Sequence, residues 1–233
     1  MSALEVDPSA TITALVLAKV PRRGHSKTRL IPAFGPHGAA RLAAAALVDT
    51  LDAVRRSTVT DRVLALDGDV QELPDPTSTR GFRIIPQATG SHTDRLIAAF
   101  ETATGPAVLV GMDTPQLASR SVELDLAEPV EAWFGPAMDG GWWVLGLRHP
   151  RRDARRVLDG VPMSTPETGR LTRDRLLACG LRIHDLAVLR DVDEGEDAVA
   201  VARQAPHLRF SRLVVQLRAG QDATPPPPSR AAR

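Results

Sequence analysis

The chain has no tyrosine, a single cysteine and only two lysines, the latter set against 27 arginines in 233 residues. Each scarcity excludes something. Without tyrosine no phenol can act as acid or base. One cysteine, Cys179, rules out an internal disulfide and fits a reducing compartment. No stretch is apolar for the roughly 18 residues that a transmembrane helix needs. The net charge of +1 offers no bulk attraction to nucleic acid or to a membrane surface. The opening residues lack the basic flank and apolar run of a signal peptide, so a cytoplasmic protein is expected.

What is present suits one sizeable α/β domain: 43% of residues are hydrophobic, enough for a real core at this length. Residues 1–10 carry no periodicity and read as an N-terminal tail. Residues 221–233 include four consecutive prolines, Pro225 to Pro228, and read as a Pro-rich flexible C-terminal tail. The domain is therefore expected to occupy residues 11–220, with no internal repeat.

Apolar runs alternate with helical patterns between the tails. Strands are expected at 12–18, 62–66, 82–85, 107–111, 130–134, 142–147 and 181–186. Helices are expected at 36–56, 93–104, 115–126, 151–158, 166–178 and 196–204. The first helical segment is rich in alanine, the best helix former. The runs at 12–18 and 107–111 are apolar on both faces, as buried parallel strands should be. Strand–helix alternation in the first half implies right-handed βαβ units. Later, 130–147 reads as a hairpin around Asp139-Gly140, a dipeptide suited to tight turns. The expected result is a mostly parallel sheet with one antiparallel excursion.

In such sheets ligands bind beyond the carboxyl ends of the strands, near a topological switch point. Three segments with chemistry fall there. Both lysines, Lys19 and Lys27, lie in one loop after the first strand, together with Arg22, Arg23 and Arg29. A compact ammonium on a flexible stem is not interchangeable with a planar guanidinium where one phosphate oxygen must be met. The loop is not a Walker A motif, because Ser26 and Arg22 stand where that motif needs glycine, and no Gly-x-Gly-x-x-Gly occurs. Lys27 and Arg29 could still clamp a diphosphate, or form a solvated basic loop. The second segment is Gly111-Met112-Asp113-Thr114-Pro115. Here an apolar strand ends on an acid, Thr114 is suited to cap the next helix and Pro115 to its first position. Asp113 could then hold a cation beside a phosphate, or simply favour the positive end of the helix dipole. The third is the acidic run Asp191-Val192-Asp193-Glu194-Gly195-Glu196-Asp197, from which one carboxylate could complete a metal site.

Taken in order, these segments, with Gly135-Pro136-Ala137-Met138-Asp139-Gly140-Gly141-Trp142-Trp143 and Ser164-Thr165-Pro166-Glu167-Thr168, resemble a bacterial family of nucleotide-diphospho-sugar transferase-like proteins. The resemblance spans residues 12 to 204. It implies the GT-A fold, a Rossmann-like α/β/α sandwich related to that of sugar and cofactor nucleotidylyltransferases. It also implies roles. Lys19, Gly24, Lys27 and Arg29 would form the phosphate loop, and Gln87 with Gly90 would read the base. Asp113 and Asp193 would hold Mg²⁺ or Mn²⁺, and Asp139 would face the acceptor. The catalytic set would be Lys27, Asp113 and Asp139. Two departures from the family pattern stand out. Ser91-His92-Thr93-Asp94 precede Arg95 where Leu-Gly is common, and Trp142 and Trp143 replace the usual tyrosines.

The expected activity is metal-dependent glycosyl transfer from a nucleotide-diphosphate sugar to a small-molecule acceptor that the sequence does not name. The alternatives are nucleotidylyl transfer from a nucleoside triphosphate, for example guanylyl transfer to a phosphorylated acceptor, and nucleotide binding without turnover. No nucleic-acid partner is expected, and the oligomeric state is not legible.

Overall fold

The structure, a computed structural model, describes residues 11–222. The expected N-terminal tail and residues 223–233 of the expected C-terminal tail lie outside the described residues. The two remaining tail positions, 221 and 222, close the last helix.

Seven strands form one sheet: β1 (Thr13–Lys19), β2 (Asp61–Asp67), β3 (Arg83–Pro86), β4 (Ala107–Gly111), β5 (Ala132–Pro136), β6 (Trp142–Leu147) and β7 (Ile183–Asp185). Their spatial order is β3-β2-β1-β4-β6-β5-β7. Only β6 runs against its neighbours β4 and β5; all other pairings are parallel. All seven expected strands are present, and the hairpin around Asp139-Gly140 supplies the antiparallel excursion. The chain builds outward from β1 through β2 to β3, then returns to place β4 on the other side of β1. This reversal opens a crevice at the carboxyl ends of β1 and β4.

The helices are α1 (Ile31–Arg56), α2 (His92–Glu101), α3 (Pro150–Leu158), α4 (Thr168–Ala178), α5 (Gly195–Gln204) and α6 (Arg209–Asp222). Gly35, at φ 67°, interrupts α1 just before Pro36, so the continuous helix starts where the sequence places it. One face of the sheet packs Val16, Leu64 and Val110 against Leu47, Leu51 and Val54 of α1. The other packs Leu15, Leu109 and Leu145 against α2, α3 and α4 through Leu96, Phe100, Val157 and Leu176. The α/β/α sandwich is thus the observed fold.

Two local expectations fail. Residues 115–126 do not form an α-helix; only a single 3-10 turn, Ser119–Val122, occurs there. Val122, Leu124 and Leu126 are buried at two-residue intervals, a spacing that suits extended backbone rather than a helix face. Thr114 therefore caps nothing, and Asp113 does not sit at a helix N-terminus. The second miss is α6, which is absent from the expected helices. Its Phe210 and Val214 bury against Leu42, Ala46 and α5 in a third apolar cluster.

The start of α6 is held from 160 residues away in sequence. Asp49 of α1 is 3% exposed and accepts from Arg209 N at 3.2 Å and Phe210 N at 2.8 Å, with Arg209 Nη1 at 3.4 Å. Removing it leaves buried amides of the first helical turn unpaired, at a cost of roughly 2–3 kcal/mol. Asp49→Ala should lower the melting temperature by roughly 5–10 °C. A change within 1–2 °C would contradict the capping role. Burial raises the Asp49 carboxyl above its ordinary value of 3.8, against the lowering effect of these hydrogen bonds. A folded value above the unfolded one means stability is greatest at low pH and declines as pH rises through the folded value. The stability advantage of the natural protein over Asp49→Asn in urea titrations should therefore be larger near pH 4 than at pH 7.

Candidate active site

A cavity of about 680 Å³ opens at the carboxyl ends of β1 and β4. The register pairs Leu17 with Gly111, so Lys19 and Asp113, each two residues further on, leave the sheet at the same level. Lys27 reaches back from the loop after β1. Its Nζ lies 3.0 Å from Asp113 Oδ1 and 3.0 Å from Asp193 Oδ1, and Arg29 Nη1 lies 3.5 Å from Asp193 Oδ2. Three segments far apart in the chain thus meet at one ammonium.

The third of them is brought in by a backbone zipper. After β7, Leu186 N donates to Phe134 O at 2.8 Å and Met138 N donates to Leu189 O at 2.9 Å, which carries the chain along β5. The next residues cross to the end of β4. Gln116 Nε2 donates to Arg190 O at 2.6 Å, Thr114 Oγ1 to Asp191 Oδ1 at 2.6 Å, and Val192 N to Asp113 O at 2.9 Å. Thr114, expected as a helix cap, is instead the tether that brings the acidic run to Asp113. Asp197 then accepts from Glu194 N at 2.9 Å and caps the start of α5.

Charge in the cavity is tightly coupled. Burial works to lower the Lys27 pKa, but Asp113 and Asp193 together outweigh it, so the ammonium is held above its ordinary value. Asp191 goes the other way. Burial, reinforced by the nearby Asp113 and Asp139, raises its carboxyl to about 6 despite the hydrogen bond from Thr114. His92, at the start of α2, is lowered by burial and by the charges of Arg95 and Lys19.

Of the residues expected at the site, Lys19, Lys27, Arg29, Gln87, Asp113, Asp139 and Asp193 line this cavity, whereas Gly24 and Gly90 are not among its lining residues. Gly24 adopts φ +77° in the loop, a conformation that glycine takes without steric cost. Lys19 pairs with Asp67 at 3.7 Å. The Gln87 amide donates to Ala18 O at 2.6 Å and to Ala65 O at 3.1 Å, while its buried Oε1 has no partner among the described residues. Asp139 Oδ1 accepts from Gly141 N at 2.8 Å and so closes its own turn.

That turn docks on the segment leading into α4. Gly169 N donates to Gly140 O at 2.7 Å, and a Cβ on Gly140 would stand 2.0 Å from Pro166 O. Ser164 and Thr165 do not cap α4, whose N-cap is Glu167. Thr168 Oγ1 instead donates to Pro162 O at 2.8 Å, and Ser164 takes φ 60°, uncommon for a residue with a side chain. Trp142 and Trp143 both line the cavity, and Trp143, largely buried, donates to Ala187 O at 3.0 Å.

Sequence reasoning left Asp191, His92, Arg95 and Met163 outside the site, though all four line the cavity. Asp191 was visible as a member of the acidic run. Nothing local marks Met163.

The residues suit a divalent cation shared with phosphate oxygens. Among the described residues no group of three or more His, Cys, Asp or Glu is arranged to hold a metal alone. Mg²⁺, however, commonly takes one or two carboxylates and completes its shell with phosphate and water. Asp113 and Asp193 already converge on one cation, the Lys27 ammonium, which marks where positive charge is stabilised.

Residues 50–165 match a family described as uncharacterized protein conserved in bacteria (DUF2064). No curated protein matches the chain in sequence. Among solved structures, a provisionally named nucleotide-diphospho-sugar transferase from Desulfovibrio desulfuricans is 23% identical with TM-score 0.77, covering 89% of this chain and 95% of that one. A nucleotidyl transferase from Methanothermobacter thermautotroptrophicus is 16% identical with TM-score 0.57, covering 87% and 98%. Rv0371c from Mycobacterium tuberculosis, in a complex with manganese, is 19% identical with TM-score 0.51, covering 83% and 98%. Among the described residues no helix is long and apolar enough to cross a membrane. A bacterial family model thus matches residues 50–165, and the chain shares its fold with these structures over most of its length.

Proposed function

We propose that the protein is a nucleotide-dependent transferase that moves a glycosyl group from a nucleotide-diphosphate sugar to a small acceptor. One observation carries this reading: Lys27, Asp113 and Asp193 converge in a single cavity at the switch point between β1 and β4. In the reaction an acceptor hydroxyl attacks the anomeric carbon, the bond from that carbon to the diphosphate breaks, and the nucleoside diphosphate leaves. Asp139, exposed on its turn at the cavity wall, takes the proton of the attacking hydroxyl. Lys27 and Arg29 meet the negative charge that develops on the departing diphosphate, an electrostatic contribution made by a point charge and a bidentate fork. Lys19 adds a further cation to the wall beside Asp67. A divalent metal held by Asp113 and Asp193 would neutralise the diphosphate and so improve the leaving group. The manganese complex of Rv0371c supports looking for Mn²⁺ as well as Mg²⁺. Gln87 lines the cavity, which supports a place for it beside the base. The single cysteine supports a reaction in the cytoplasm.

Nucleotidylyl transfer is the second reading, supported by the name of the Methanothermobacter relative and by the Lys27-Thr28-Arg29-Leu30 loop. The two differ in what leaves: a nucleotide from a nucleotide sugar, or pyrophosphate from a nucleoside triphosphate. Thermal melts against a panel of nucleotides and nucleotide sugars, with and without Mn²⁺, should single out one base. The stabilisation should be about 2.7 kcal/mol at a hundredfold excess over Kd. Turnover assays on the stabilising compounds then decide the bond broken. No shift with any nucleotide or nucleotide sugar would sink both readings.

A further inference from the structure

An ammonium and a divalent cation cannot share the same two carboxylate oxygens at contact distance. Both are positive, and Nζ at 3.0 Å from Asp113 Oδ1 and from Asp193 Oδ1 fills the space between them. Lys27 is well placed to hold that position. Its side chain is only 14% exposed, and Arg29 lies 3.5 Å from the other oxygen of Asp193. The backbone at Lys27 is left-handed, φ 49° and ψ 50°, uncommon for a residue with a Cβ. A strained residue sits at the centre of the site, and its contacts hold the strain in place. Of the other carboxylates that line the cavity, Asp191 is engaged by Thr114 and Asp139 by Gly141 N of its own turn.

We propose that Lys27 is a built-in counter-ion that occupies the metal position of the ligand-free protein and is exchanged for the metal when a diphosphate enters. The diphosphate gives the ammonium a new partner and gives the metal its remaining oxygen ligands. Metal and diphosphate then bind cooperatively, each raising the affinity for the other by the same factor, as linkage requires. The ligand-free protein binds Mn²⁺ weakly because Lys27 competes for its carboxylates. This inference rests on the metal site assigned under the proposed function, yet it is testable without turnover.

The test is a titration of Mn²⁺ into the full chain without nucleotide, reading free Mn²⁺ by electron paramagnetic resonance. Lys27→Met should bind Mn²⁺ about tenfold more tightly than the natural protein, within the usual range of coupling between sites. Adding inorganic pyrophosphate should tighten Mn²⁺ binding to the natural protein and tighten it less in the variant. Equal or weaker Mn²⁺ binding by Lys27→Met, with its fold confirmed by melting, overturns the proposal. Should that variant fail to fold, the natural protein itself gives the answer, because it has only two lysines. Reductive ¹³C-methylation leaves Lys19 and Lys27 as the only side-chain NMR signals, assigned with Lys19→Arg. Mg²⁺ with pyrophosphate should move the Lys27 signal, and an unmoved signal overturns the exchange. If instead turnover is found but Lys27→Met does not tighten Mn²⁺ binding, the exchange fails and the transferase reading stands. If Mn²⁺ tightens as expected but no nucleotide binds, the exchange stands and the transferase reading fails.

Discussion

Asp113→Ala should lower the transfer rate by about 10³-fold, the scale on which a single preorganised charge acts in a catalytic site. The side chain stands at the end of β4, directly opposite Lys27, and is 45% exposed, so little packing is lost with it. Its backbone carbonyl, which accepts from Val192 N, is retained in the variant, so the acidic run stays docked. Melting temperature should therefore change by no more than about 2 °C, as expected for a surface substitution. The informative measurement is the rate with and without Mn²⁺. The natural protein should respond strongly to the metal and the variant hardly at all. A variant retaining more than a third of the metal-dependent rate would remove Asp113 from the mechanism.

Gly140→Ala has the largest expected effect on stability. A Cβ there would meet Pro166 O at 2.0 Å, and the residue sits at φ +89°, where a side chain is strained in any surroundings. Backbone, unlike a side chain, cannot rotate away. The turn must lift off the segment leading into α4, and the hydrogen bond from Gly169 N to Gly140 O breaks with it. The combined cost is on the order of 3–5 kcal/mol, a drop of about 10 °C or more in melting temperature. Gly169→Ala tests the same contact from the other side, since its Cβ would lie 2.3 Å from Gly141 O. Both variants also shift Asp139, so transfer should fall even in the fraction that remains folded. A Gly140→Ala protein that melts within about 2 °C of the natural one would show that the turn is free to move.

Much of the frame was legible because it is written locally. Buried parallel strands need apolar residues on both faces, and β1 and β4 announce themselves by that alone. The Asp139-Gly140 hairpin follows from the turn chemistry of two residues. The expected phosphate loop stood out because an arginine-rich chain keeps its only two lysines there, although the first of them, Lys19, closes β1. Where local signals were ambiguous, the reading failed for a definite reason. Residues 115–126 hold good helix formers, but Val122, Leu124 and Leu126 bury at a spacing of two, and the sheet face they cover decided the conformation. Thr114 looked like a helix cap because a hydroxyl before proline is what a cap looks like. Its actual partner, Asp191, lies 77 residues away.

By itself, then, the sequence determined which segments become strands, which loop carries the cations and which strand ends carry the acids. These depend on periodicity and residue type over a few neighbours. The tertiary structure decided everything that depends on distance between remote positions. It hung α6 on Asp49. It also docked glycine on glycine beneath Asp139 and set the Lys27 ammonium between Asp113 and Asp193. Coulomb energy falls with separation in space, not along the chain, so only the folded arrangement could reveal that the expected phosphate-binding lysine rests on the expected metal ligands.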